Sequence, residues 1–409
     1  MVEISLSTGQ PNPPLVPYQP VALRDRSDGT TRASASVVSP NFIRAFGSGG
    51  QNSRAPGSLG GQGRFGIRWQ FAVDGAPNAV LVAGDRIVAQ RSNGWELMSS
   101  DGKKVASGPP SRSLITLDPS VGMFYVVGSG NALQAMAMDT GEMRFALPLG
   151  QNESFSWPLV HRSGKVLMIA GVEQPMMSPR PRRPERSLFQ AVRIASPIQL
   201  SPYKLLLSLE QQRDMVFKEA NMLPVGSGEV LWAAMPNLLV RTSPAQTVDG
   251  AWTDTFRPLA VSVDEMGWLY LVAECGAQNQ RELWIVTTEG VRVSRSAVPP
   301  AFWETKVPPA VGYDHRVYLR AAQDIAAFAP SGELLWEVRI SGQIAGMTVT
   351  PDGRVVAAAG RAVYQIDPGG KVTPVFAELP GSATTAPVVT AQGEILVGTE
   401  TGVVCLTAQ

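Results

Sequence analysis

Histidine and cysteine are almost missing from this sequence. Its 409 residues hold two of each, His161, His315, Cys275 and Cys405. Two cysteines so far apart exclude a disulfide framework, and the lack of any CxxC pair excludes a cysteine-based zinc site. Two imidazoles leave little room for histidine-rich metal chemistry. An excess of one charge is lacking too. Thirty-five basic residues stand against 34 acidic ones, a net charge of +1, so no global field draws the chain to nucleic acid or an acidic membrane. No stretch reaches 18 uninterrupted apolar residues, so no helix is expected to span a membrane. The start, MVEISLSTGQPNPPLVPYQP, has no basic segment followed by an apolar run. It does not read as a secretory signal, and the expected location is cytoplasmic. Long stretches of 3.6-residue period are nearly absent. The main exception is KLLLSLEQQRDMVFKEA, residues 204–220, which reads as a helix or as a strand with a charged loop.

What is present falls into two textures. Residues 1–63 are crowded with Pro, Gly, Ser, Asn and Arg and end in GSGGQNSRAPGSLGGQG. Such a segment buries too little apolar surface to offset its ordering entropy. It reads as a flexible leader, or as an arm that folds onto a protein partner. Its apolar islets, Val2-Ile4-Leu6, Leu15-Val16-Pro17-Tyr18 and Phe42-Ile43-Phe46, suit short docking contacts, with Tyr18, Phe42 and Phe46 as candidate partner-binding residues. From residue 64 to 409 the chain alternates short runs rich in Val, Ile, Leu, Trp and Tyr with Gly, Pro, Asp and Asn pairs. That is the pattern of β-strands and tight turns.

The runs repeat. GWELMSSDGKKVA, ALQAMAMDTGEMRFAL, RELWIVTTEGVRVSRS, DIAAFAPSGELLWEVRI and AVYQIDPGGKVTPVFA each read as strand, polar turn ending in Gly, strand. A shorter strand pair, such as GMTVTPDGRVVAAAG, precedes each. The unit is four strands with a period of roughly 35–50 residues, which describes a β-propeller blade. Units start near 79, 113, 157, 220, 256, 307, 345 and 383, giving eight blades. The stretch 220–252 is the least regular, and if it is an insertion the count is seven. The last unit stops at Gln409 after three strands. GIRWQFAVDG, residues 66–75, matches GELLWEVRISG in pattern and is expected to supply the fourth strand, closing the ring. Gly102, Gly141, Gly290, Gly332 and Gly370 sit where the strand-joining turns need positive φ.

The units AMAMDTGEMRFAL, AFAPSGELLWEVRI and GEILVGTETGVVCLTA resemble the repeat of pyrroloquinoline-quinone (PQQ)-type β-propellers. The resemblance covers about residues 66–409, good in the second, sixth, seventh and last units and poor in the third and fourth. It implies an all-β, eight-bladed (alternatively seven-bladed) propeller of four-stranded antiparallel blades, behind an extended low-complexity arm. It says less about function, because the family includes quinone-dependent alcohol dehydrogenases, an outer-membrane assembly lipoprotein and binding scaffolds without catalysis. The dehydrogenases resemble one another in a disulfide between adjacent cysteines and a calcium site. Cys275 and Cys405 are not adjacent, and no Glu/Asn/Asp calcium set stands out, so no cofactor or metal is expected.

Three features invite chemistry. Asp139-Thr140-Gly141 is the tripeptide of aspartic proteases, but that chemistry needs two such loops sharing a proton, and no second copy occurs in the chain. It reads as a turn, with Asp139 bonding the turn amides. Arg180, Arg182, Arg183 and Arg186 lie in an insertion, residues 173–187, that prolines keep extended. They read as a solvated loop or as a contact to an acidic protein partner; without aromatic interleaving a nucleic-acid groove is not supported. His161 and His315 follow the first strands of their units and read as turn residues. Trp69, Trp232, Trp268, Trp284 and Trp336 fall on strand patterns and read as core, whereas Trp252 and Trp303 lie near blade junctions and read as exposed contacts. The expected function is a non-enzymatic scaffold binding other proteins within a bacterial assembly. The alternative is a small-ligand or metal-binding propeller, or an enzyme acting at the central channel.

Overall fold

The computed structural model describes residues 21–25, 55, 57–59, 64–111, 115–119, 121–128, 132–148, 153–155, 159–160, 166–172, 191–195, 200–203, 223–226, 231–235, 237–242, 248–264, 267–276, 280–303 and 307–409. Their regular structure is almost entirely β, with one 3-10 turn at Pro300–Phe302.

The described strands form eight sheets. The first is Pro77–Ala83, Arg86–Arg91, Gly94–Ser99 and Lys104–Gly108. The second is Thr116–Asp118, Met123–Gly128, Ala132–Ala137 and Met143–Pro148. In the third, Glu153–Phe155 and Leu159–Val160 both pair with Val166–Val172, followed by Ala191–Ala195 and Leu200–Tyr203. The fourth is Leu223–Gly226, Leu231–Met235, Leu238–Thr242 and Val248–Thr253, so the irregular stretch 220–252 supplies a sheet of its own. The fifth is Phe256–Val263, Leu269–Cys275, Gln280–Val286 and Val291–Ala297. The sixth is Ala310–Val311, Val317–Arg320, Asp324–Phe328 and Leu334–Arg339. The seventh is Ile344–Val349, Val355–Ala359, Ala362–Ile366 and Val372–Phe376. The eighth joins Val388–Val389, Ile395–Thr399 and Gly402–Ala408 to Phe65–Ala72 from the other end of the chain. That last pairing runs antiparallel from Phe65↔Ala408 to Ala72↔Gly402, the ring closure expected from the sequence.

First strands of successive sheets neighbour one another from the first sheet to the seventh, and Val388–Val389 of the eighth neighbours Pro77–Ala83 of the first. Each sheet therefore runs outward from its first strand. Burial follows: Val355–Ala359 is buried at every position, whereas the outer strand Leu334–Arg339 is half-buried only at Trp336 and Val338 and exposed at its other positions. Apolar layers fill the gaps between sheets. Between the first and second, Trp95 meets Phe124 edge-on at 5.0 Å. Between the fourth and fifth, Trp232, Trp252, Phe256 and Trp284 form one cluster with Cys275 and Leu271. Each fully buried Leu, Val or Phe contributes roughly 1.5–3 kcal/mol relative to an exposed one, so the layers, not the turns, hold the ring.

The five turn glycines take φ of +80° (Gly102), +74° (Gly141), +72° (Gly290), +89° (Gly332) and +90° (Gly370). At Gly141 a Cβ would also lie 2.3 Å from the Ala106 Cβ, so close packing demands glycine as well. The role expected of Asp139 needs correction. In two sister turns, those of Gly290 and Gly370, the residue three before the glycine accepts from the turn amides, Thr287 Oγ1 from Glu289 and Val291 N–H at 3.3 Å in the first. In the second, Asp367 Oδ1 accepts from Gly369 and Lys371 N–H, both at 2.9 Å. Asp139 stands only two before Gly141, and Thr140 Oγ1 instead accepts from Glu142 N–H at 3.3 Å. Asp139 points outward, 3.9 Å from Arg144. A second correction concerns Trp252. It is 7% exposed and buried in the fourth–fifth layer, because Gly250 and Gly290 leave room for its ring. Trp303 is exposed as expected, at 39%. Residues 204–220 lie outside the described residues.

Candidate functional site

The arm supplies the feature that sequence reasoning missed. Val21–Ala22 pairs in parallel with the outer strand of the fourth sheet, Val21↔Trp252 and Ala22↔Thr253. Leu23 N–H then donates to Thr253 O at 2.9 Å, and its side chain packs against the tryptophan cluster. Arg24–Asp25 crosses to the outer strand of the fifth sheet, Arg24↔Val291 and Asp25↔Arg292, again parallel. Five residues thus add to two adjacent sheet edges in turn. Exposed edges present unpaired backbone donors and acceptors that favour such addition.

Arg292 anchors the crossing. It is 5% exposed. Asp25 accepts from its Nε at 2.5 Å and from its Nη2 at 3.0 Å, a bidentate fork, and Asp254 accepts from Nη1 at 2.7 Å. The guanidinium lies 4.4 Å from the Trp284 ring centroid, where the ring quadrupole favours a cation. Burial works against the Arg292 charge, but the Asp25 and Asp254 carboxylates outweigh it and its pKa is raised. The hydrogen bond from Arg292, reinforced by its charge, holds the Asp25 carboxyl below its ordinary range. Beneath, the Trp284 indole N–H donates to Glu282 Oε2 at 2.7 Å, and Glu282 is forked by Arg295 at 2.7 and 2.9 Å.

A second arm stretch lies across the turns between the first and second strands of the sixth to eighth sheets. Ala55 N–H donates to Val349 O at 2.7 Å, and the Tyr313 hydroxyl donates to Ala55 O at 3.0 Å. Ser58 donates to Asp352, and Leu59 is buried in the seventh–eighth layer. Tyr18, Phe42, Phe46, Arg180, Arg182, Arg183, Arg186 and His161 lie outside the described residues.

His315 sits in a turn, as expected, with φ +61°. The acidic partner not foreseen for it is Asp264. His315 Nδ1 lies 3.0 Å from Asp264 Oδ2 and 3.1 Å from the Tyr270 hydroxyl, which donates to the same oxygen at 2.8 Å. The backbone N–H of Trp268 donates to the other carboxylate oxygen at 3.0 Å, and its ring lies 5.5 Å from the imidazole, tilted by 33°. The cluster ties the fifth sheet's turn to the sixth's. An open groove of about 460 Å³ lies between the first and second sheets, where Asp85, Arg86, Asp139 and Arg144 form its charged rim.

No protein-family model matches the sequence, and no curated protein matches it. Solved structures do. The crystal structure of BamB from Moraxella catarrhalis aligns over 84% of this chain and 100% of its own, at 14% identity and a TM-score of 0.53. The quinohemoprotein alcohol dehydrogenase ADHIIG from Pseudomonas putida HK5 aligns over 92% of this chain and 83% of its own, at 12% identity and a TM-score of 0.61. The fold is a PQQ-like β-propeller. The four-stranded antiparallel sheets are blades of that fold, and identities this low speak to fold alone.

The residues present do not fit the cysteine pair and calcium site that the resemblance attaches to quinone dehydrogenases. Cys275 is buried in the fifth blade and Cys405 in the eighth, both as free thiols. Among the described residues, no group of three or more His, Cys, Asp or Glu is placed to hold a metal ion. Burial, with the Glu282 carboxylate adding to it, pushes the Cys275 thiol up to about 12. Burial does the same at Cys405, also to about 12. Neither is a poised nucleophile.

Proposed function

We propose that this propeller is a non-enzymatic, cytoplasmic scaffold that binds extended segments of other proteins within a bacterial multiprotein assembly. The observation that carries this reading is the parallel addition of Val21–Ala22 and Arg24–Asp25 to the outer edges of the fourth and fifth blades. The propeller already holds extended chain at its rim, through backbone pairing and one buried arginine, and the interblade layers keep that rim rigid. The arm adds reach, with Tyr18, Phe42 and Phe46 as its apolar contacts. The loop bearing Arg180, Arg182, Arg183 and Arg186 adds an attraction to acidic surfaces.

Against catalysis stands the chemistry of the described groups. The thiols are buried and protonated, and His315 Nδ1 is turned onto a buried aspartate and tyrosine. The test is affinity capture of the full chain at native expression, with a small-molecule screen on the same preparation. The reading expects a protein partner recovered at near-stoichiometric amount, lost or reduced when the four loop arginines are replaced by alanine or Arg292 by methionine. A chain recovered bare, retaining a small molecule or turning one over, would refute it.

A further inference from the structure

The arm's second stretch shows how one face of the propeller holds a chain segment. Ala55, Gly57, Ser58 and Leu59 lie across the turns that join first and second strands in the sixth to eighth blades, and three devices hold them. The Tyr313 hydroxyl donates to a backbone carbonyl of the segment, Ala55 O, at 3.0 Å. The turn residue Asp352 accepts from the Ser58 hydroxyl at 3.2 Å. Leu59, 4% exposed, enters the apolar layer between the seventh and eighth blades. Packing is close on both sides: a Cβ at Gly393 would lie 2.8 Å from Ser58 O, and one at Gly57 would lie 2.2 Å from Thr390 O. The corresponding turns of the first and second blades frame the open groove of about 460 Å³. There Asp85 and Arg86 pair at 2.6 Å, as Asp352 and Arg354 do at 3.0 Å, and Gly122 takes φ +64° where Gly393 takes +79°. Yet among the described residues nothing lies within 4 Å of a Cβ built at Gly84 or Gly122. Counterparts of the three devices line this groove. Arg144 is half-exposed, and its guanidinium is 3.9 Å from Asp139 Oδ1, beyond hydrogen-bond distance. Asp85 is well exposed and meets Arg86 through Oδ2. Ala83, Ala137 and Met138 are buried, Met123 is half-buried, and Val121 is exposed.

Resting on the scaffold reading, we propose that the groove between the first and second blades is a docking site for an extended segment of a partner protein, bound as the arm's second stretch is bound between the seventh and eighth. The segment carries a serine or threonine followed directly by leucine or a side chain of like shape. Its hydroxyl donates to Asp85, as Ser58 donates to Asp352. Its apolar side chain covers Val121, Met123 and Met138, which removes their apolar surface from water. Its backbone carbonyls accept from Arg144, as Ala55 O accepts from Tyr313. Small residues precede the hydroxyl, as Ala55 and Gly57 do, because the turns approach the chain closely. Two aspartates and two arginines leave the rim without net charge, which suits a neutral segment and disfavours a strongly charged one.

The test uses the full chain, whose own segment already fills the seventh–eighth position, and a synthetic peptide, Ala-Pro-Gly-Ser-Leu-Gly-Gly, that repeats residues 55–61. Binding is read by NMR from isotope-labelled methionine methyl groups. The proposal expects saturable shifts at Met123 and Met138, with Met347 of the seventh blade unmoved. Val121→Arg, at an exposed position, is expected to weaken binding at least tenfold, and so is serine in place of the peptide's leucine, since each removes the apolar contact. Arg144→Ala is expected to weaken it about threefold, the loss of one hydrogen bond to a carbonyl. Absence of a saturable shift, shifts confined to Met347, or an affinity that Val121→Arg leaves unchanged overturns the proposal. Shifts at Met123 that grow with protein concentration and need no peptide would assign the groove to a second copy and overturn it too. If the peptide fails while the native capture still recovers a partner, this inference falls and the scaffold reading stands.

Discussion

Replacing Gly290 with alanine tests the junction that carries the site. Gly290 has φ +72°, and a Cβ built there lies 1.9 Å from the Trp252 ring. Trp252 has little room to retreat: it is 7% exposed and its ring centroid lies 5.3 Å from that of Trp232. Gly276 is the matched control, with φ +67° and nothing within 4 Å of its Cβ position. Both substitutions place a Cβ in the left-handed region, at about 1–2 kcal/mol. Gly290→Ala adds overpacking of a closed layer, about 1–3 kcal/mol more. At roughly 2 °C per kcal/mol for a large domain, Gly276→Ala is expected to lower Tm by about 2–4 °C and Gly290→Ala by about 4–10 °C. Calorimetry or tryptophan fluorescence melts of the two variants and the parent decide it. Equal losses at the two positions, or no loss at Gly290, would refute the packing of the fourth–fifth layer described here.

Three further outcomes follow from particular groups. Asp367→Ala is expected to cost about 1 kcal/mol, since two turn N–H groups lose their acceptor, whereas Asp139→Ala should leave Tm unchanged; a larger loss at Asp139 would reject its outward placement. Asp25 has a lowered pKa when docked, so its contribution is complete above its ordinary value of 3.8 and is lost as pH falls through the lowered one. A nitroxide at Ala22→Cys should therefore be immobile at pH 7 and 5 and mobilise below about pH 4, and Arg292→Met should mobilise it at pH 7; mobility unaffected by pH or by Arg292 would contradict the fork. Finally, with both thiols raised to about 12, Cys275 and Cys405 should resist alkylation at pH 8 in the native protein and react once it is unfolded, as mass spectrometry would show; rapid native labelling would contradict their burial.

Much of the fold was legible because its signals are local. Strand runs, turn glycines and the Trp69–Trp336 correspondence are read within a dozen residues, and the closing strand 66–75 was found because it repeats the pattern of 332–342. The site was not legible. Two-residue pairings carry no periodicity, so nothing in Val-Ala-Leu-Arg-Asp announces a strand in a Pro- and Ser-rich arm. The one usable signal is Val21-Ala22-Leu23 itself, an apolar run two residues before an acid. The His315–Asp264 contact spans 51 residues and depends on two neighbouring turns facing each other. Asp139 was misassigned because a turn's capping position depends on its distance from the glycine, and Asp-Thr-Gly draws the eye one residue late. Trp252 was misplaced because its burial is made by Gly250 and Gly290, whose proximity to it only the packing reveals.

The central claim is that this propeller holds other proteins' chains at its rim. Native mass spectrometry of the full chain, captured at native expression and sprayed without denaturation, tests it most directly. The account predicts a mass that exceeds the 43.6 kDa chain by at least one other polypeptide, with that polypeptide released when Arg292 is replaced by methionine. A bare chain, or one carrying only a small molecule, would contradict it.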